Sequence, residues 1–173
     1  MRYALQPIDI PVALDLALRG SRIFADLAAM LGISPSTAHQ SVQRLLAAGL
    51  VQKSGRQNEA NVPAIEEFLL HGARYAFPPH RSRRQRGVPT AHAAPILRDV
   101  LSGGVDPLVW PSARGAIVGT ALEPLIPSAP ELVDRAPSLY DMLALVDALR
   151  VGTARDREVA GQLLSERLMA ARA

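Results

Sequence analysis

The stretch "SPSTAHQSVQRL", Ser34 to Leu45, carries hydroxyls, amides, an imidazole and a guanidinium. Wound as a helix, it puts Ala38, Val42, Leu45 and Leu46 on one side. Ser36, Thr37, His39, Gln40, Gln43 and Arg44 are left on the other. These are groups that hydrogen-bond to base edges and phosphate oxygens. A glutamine can pair with adenine through two bonds, and an arginine with guanine or a phosphate. Ser36 and Thr37 fall near the helix start, where free backbone N–H groups also attract anions. No Asp or Glu occurs from Gly32 to Asn58. An ordinary solvated helix would usually carry glutamate, whereas a carboxylate on this face would repel phosphate.

The flanking sequence must hold this helix in place. Asp9 is positioned to cap a first helix, with Pro11 in its first turn and Gly20 at its end. A second helix is expected from Arg22 to Leu31, with Ile23, Leu27, Met30 and Leu31 on one face. Gly32 should stop it. Ser34 then caps the third helix and Pro35 occupies its first position. Gly49 closes it. Leu50 and Val51 open a strand, Lys53–Ser54–Gly55 should turn it, and a return strand is expected over Ala60–Val62. Lys53 and Arg56 sit at the polar hairpin tip. Pro63 opens a fourth helix, Ala64 to His71.

The segment Ile23 to Ala60, "IFADLAAMLGISPSTAHQSVQRLLAAGLVQKSGRQNEA", resembles the winged helix-turn-helix domain of bacterial transcription regulators, MarR-like in the broad sense. The resemblance rests on the Ala28–Ala29 pair, the Gly32–Ile33–Ser34 turn, Val42 and Leu45 in the third helix, and the closing Gly49–Leu50–Val51. It implies a recognition helix over 35–48 entering the major groove and a wing over 51–62 on the DNA backbone. Ser34, Ser36, Thr37, His39, Gln40, Gln43, Arg44, Lys53 and Arg56 become the candidate DNA-binding residues. The second half does not resemble the long dimerisation helices that surround this domain in MarR-like proteins.

After His71 the chain changes character. "ARYAFPPHRSRRQRGVPTAHAAP" holds four prolines and five arginines, and reads as a connector that is irregular or partly extended. Arg81, Arg83, Arg84 and Arg86 would form a basic arm on phosphates or in a minor groove, or else a solvated loop that pairs with acids in the second half. Beyond it come a short helix over Ala94–Leu101, strands at Leu108–Trp110 and Gly115–Leu122, and a short helix at Glu131–Arg135. Two longer helices follow, Pro137–Arg150 and Thr153–Met169. "SGG" at 102–104 reads as a turn. Trp110 reads as core, with an effector pocket as the alternative. The last two helices read as a packed hairpin, with a dimer seam as the alternative.

Bulk properties limit the possible functions. At 173 residues and 49% hydrophobic, the chain can bury a core. It has no cysteine, which excludes disulfides, cysteine zinc sites and thiol catalysis. No signal peptide or membrane-length apolar run is present, so a soluble cytoplasmic protein is expected. Arginine outnumbers lysine 18 to one, which with the many alanines fits a high-GC bacterial gene. Residues 1–88 carry net +5 and residues 89–173 net −2, so an anionic partner belongs to the first half. His39, His71, His80 and His92 lack metal-ligand spacing, and no phosphate-loop or nucleophile motif occurs.

The expected architecture is mainly α with a small β wing. A winged-helix domain (1–73) and an Arg/Pro-rich connector (74–94) lead into an α-rich (α+β) C-terminal region (95–173). The expected function is sequence-specific DNA binding by a homodimeric transcription regulator on double-stranded DNA, with no enzyme activity, cofactor or metal. The alternative is a winged helix that binds another protein, docked through the C-terminal half, without reading DNA.

Overall fold

Aliphatic residues crowd the chain from Ile8 to Leu18, and they form helix α1, Asp9–Arg19, buried on nearly every side. The computed structural model describes residues 4–101 and 106–171. Helices α2 (Phe24–Leu31) and α3 (Pro35–Ala47) follow α1. Between them Gly32 takes φ 65°, a left-handed conformation that favours glycine. Strands β1 (Val51–Ser54) and β2 (Gln57–Ala60) pair antiparallel, with Ser54 opposite Gln57. Their turn is Gly55–Arg56, so the return strand begins three residues before the expected Ala60–Val62. Val62 instead opens α4 (Val62–His71), with Pro63 in its first turn.

The C-terminal region holds α5 (Ala73–Ala76), β3 (Arg81–Thr90), α6 (Pro95–Arg98), β4 (Leu108–Pro111), β5 (Ile117–Leu122), α7 (Leu132–Arg135), α8 (Pro137–Val151) and α9 (Ala154–Ala170). Short 3-10 turns lie at Ala91–Ala93 and Ala129–Glu131. The turn expected at 102–104 lies outside the described residues. Strand β3 pairs antiparallel with both β4 and β5, and β4 lies parallel to β5, so the three strands close on one another. The closure is tight: a Cβ on Gly115 would lie 2.1 Å from the Gly87 backbone.

Strand β3 takes the extended form of the two expected for the arginine-rich segment and places it in a sheet. Arg81 to Arg86 pair residue by residue with β5, apart from a register shift between Ser82 and Arg84 that leaves Arg83 as the bulged, exposed residue.

Helix α8 is the centre of the molecule. Leu139, Tyr140 and Met142 to Leu149 are all buried, against α1, α5, α7, α9 and β3 among others. An apolar helix with no polar face needs partners all round, and here the winged-helix part supplies some of them. One continuous apolar core therefore runs through both parts. The α8 stripe is not left over for a dimer seam. Trp110 is buried, edge-on to Tyr140 at 5.7 Å, and its Nε1 donates to Asp147 at 2.7 Å. It is core, not pocket lining.

Asp15 on α1 is buried, and neither carboxylate oxygen accepts a hydrogen bond from the described residues. The Nε atoms of Arg19 and Arg22 stand 3.3 and 3.8 Å away. Burial pushes this carboxyl above its ordinary 3.8, against the pull of the two arginines. The folded form then keeps its proton at a pH where the unfolded chain has lost it. Stability from this site is full in acid and falls as pH rises from about 4 through the raised value. Asp15→Asn should flatten the dependence of melting temperature on pH between 4 and 7. An unchanged slope would show that Asp15 ionises in the fold as freely as in the unfolded chain.

Candidate nucleic-acid interface

The polar start of α3 is built by its cap. The Ser34 Oγ accepts from the Thr37 N–H at 3.0 Å and contacts the Thr37 hydroxyl at 2.8 Å, and Pro35 fills the first turn. Ser34 and Thr37 thus define the helix start, as their types suggest. Ser36, His39 and Gln40 are exposed, and Gln43 is half-buried. The His39 ring stands edge-on to Phe24 of α2, centroids 5.1 Å apart, which braces the two helices. Nothing in the residue types of α2 marked Phe24 for this role.

Arg44 departs from expectation. It is turned into the core beside α1, with only 9% of its surface exposed. Its Nε donates to Asp9 Oδ2 at 2.8 Å and its Nη2 to Oδ1 at 2.7 Å, a two-pronged pair. The Ser41 hydroxyl donates to the same Oδ1 at 2.6 Å, and the Gln6 N–H to Oδ2 at 2.8 Å. Asp9 is thus not the side-chain cap of α1 but the acceptor that fixes α3 against it. Its carboxylate holds the Arg44 guanidinium above the ordinary arginine value, against the opposing effect of burial. Asp9 and Ser41 are the functional positions that residue patterns along α3 did not point to. The only hint was the pair of carboxylates, Asp9 and Asp15, inside a largely apolar α1.

On the wing, Lys53 and Arg56 are exposed at the tip. The base is anchored to the body by the Asn58 N–H, which donates to Ser21 Oγ at 3.3 Å, and by Asn61 Nδ2, which donates to Gly49 O at 2.9 Å. The C-terminal half meets this part of the chain at the end of α2. There the Ser128 hydroxyl donates to Leu31 O at 2.5 Å. The contact leaves the polar face of α3 and the wing tip open.

The arginine run lies elsewhere. Arg84 is ion-paired with Asp106, Arg86 Nη1 donates to Gly115 O at 3.1 Å, and Arg81 Nη2 to Val151 O at 3.3 Å. Three of the four side chains contact the C-terminal sheet and its neighbours, and the Arg84–Asp106 pair agrees with the expected alternative of a basic run that pairs with acids in the second half.

A three-helix body whose capped third helix shows polar groups beside a basic hairpin is the geometry of a winged helix-turn-helix. Residues 5–58 match the MarR family. This segment is similar to that family and is consistent with a winged helix-turn-helix domain. The match supports a DNA-binding, transcription-regulatory role in general. It runs from just before α1 into β2 and does not extend into the C-terminal half. No curated protein and no solved structure matches the chain. Among the described residues, no helix is long and apolar enough to cross a membrane, and no cluster of three His, Asp or Glu could hold a metal ion.

Proposed function

We propose that the protein is a sequence-specific transcription regulator that binds double-stranded DNA as a homodimer in the cytoplasm. Helix α3 enters the major groove with Ser36, Thr37, His39, Gln40 and Gln43 toward the bases and sugar-phosphate. Lys53 and Arg56 of the wing meet the backbone alongside. Pairing two copies would set two such helices about one DNA turn, roughly 34 Å, apart. The observation that carries this reading is the uncovered, carboxylate-free surface formed by α3 and the wing tip. A cover over that face would have favoured a protein-binding role instead.

Affinity in this arrangement comes largely from phosphate contacts, so it falls as salt rises. Gel-shift titrations with genomic fragments across salt concentrations test it. Lys53→Ala and Arg56→Ala should each weaken binding about equally on every fragment and reduce the salt slope by about one. Retention of no fragment by the wild-type chain at low salt would overturn the proposal.

A further inference from the structure

Helix α3 contains one basic side chain besides its histidine, and that side chain is the buried Arg44. Arginine and lysine are the usual two-point readers of guanine, through O6 and N7. With Arg44 paired to Asp9 by two hydrogen bonds, the face toward solvent keeps no guanidinium or ammonium. What remains is the stripe Ser36, Gln40 and Gln43, at spacings of four and three residues along one side of the helix. The stripe rises about 10 Å, which spans roughly three base-pair steps. Glutamine offers one donor and one acceptor side by side, the complement of adenine N7 and N6. Ser36 is neutral in this choice, since a hydroxyl serves any base. His39 could also address a guanine edge, but its ring is held against Phe24 on the α2 side of the helix.

We propose that α3 selects A·T pairs in the major groove through Gln40 and Gln43 and does not select guanine, because its one guanidinium is locked into the core. The proposal rests on the DNA-binding reading above and narrows the sequence that α3 can read. It makes Gln40 and Gln43 the specificity-determining residues and removes Arg44 from that role.

The test is selection of duplexes from a random library by the full chain, followed by binding to the selected site with single-atom analogues. Enrichment of A·T at neighbouring steps is expected. Replacing those adenines by 7-deazaadenine deletes the N7 acceptor and leaves the pairing intact. It should weaken binding about 5- to 150-fold per contact, as should Gln40→Ala. Gln40→Arg should move the preference at its step to guanine. Guanine enriched at the α3 steps by the wild-type chain, or lost with His39→Ala, would overturn the proposal. So would A·T enrichment insensitive to 7-deazaadenine, because that is readout of DNA shape. Failure to retain any duplex is a separate result: it removes the DNA-binding reading itself and this inference with it.

Discussion

Asp147→Ala should destabilise the protein by about 3–5 kcal/mol, because it strands a buried guanidinium and two further donors. Asp147 lies on α8, almost wholly out of water. Its Oδ2 accepts from the Thr90 hydroxyl at 2.8 Å and from Trp110 Nε1 at 2.7 Å. Its Oδ1 accepts from Arg150 Nη1 at 2.8 Å. One carboxylate thus ties the end of β3, the middle of β4 and the next turn of α8. Burial raises its pKa, opposed by Arg150 and the two hydrogen bonds. Arg150 also donates from Nε to Phe77 O at 2.8 Å, so it cannot swing out to water without breaking a second contact. Urea unfolding followed by Trp110 emission and by far-ultraviolet circular dichroism measures the effect. Because one core spans both parts, the two signals should move together in the wild-type chain. In the variant both midpoints should fall. A loss below about 1 kcal/mol would mean that the three donors find other partners.

The features legible in the sequence were those governed by neighbouring residues. Ser34 and Pro35 announce the start of α3, and Gly32 supplies the positive φ that ends α2. Ala38, Val42 and Leu45 fix the buried side of α3. The apolar girth of α8 required several partners, and it has them. The features that were not legible depend on distant residues. Strand β3 lacks the alternation that marks a half-buried strand, since five of its first six residues are exposed. Its pairing with β5 brings Arg81 opposite Leu122, a partner no local pattern can indicate. A run of arginines looks alike in a solvated arm and on a sheet surface; Asp106 and two backbone carbonyls decide the matter. Arg44 was misplaced for a related reason. Polar type along a helix implies solvent only when no buried partner waits, and the partner here lies 35 residues upstream.

That partner sets up the second large effect. Asp9→Ala should cost about 3–5 kcal/mol, for it leaves the Arg44 guanidinium buried without its counter-charge. It also removes the acceptor of the Ser41 hydroxyl and the Gln6 N–H. The loss falls at the junction of α1 and α3, so α3 should lose its seat along with stability. Thermal melts and hydrogen exchange of the α3 amides should both register it. The double change Asp9→Leu with Arg44→Met separates packing from charge. Replacing a buried ion pair by apolar groups of similar volume is often neutral or stabilising, so this chain should regain most of the melting temperature. Its DNA preference then decides what Arg44 does. A guanidinium that only positions α3 can be replaced in this way while the selected sequence stays the same. A guanidinium that reads a base cannot, and a changed or lost preference in the refolded double variant would return Arg44 to the interface.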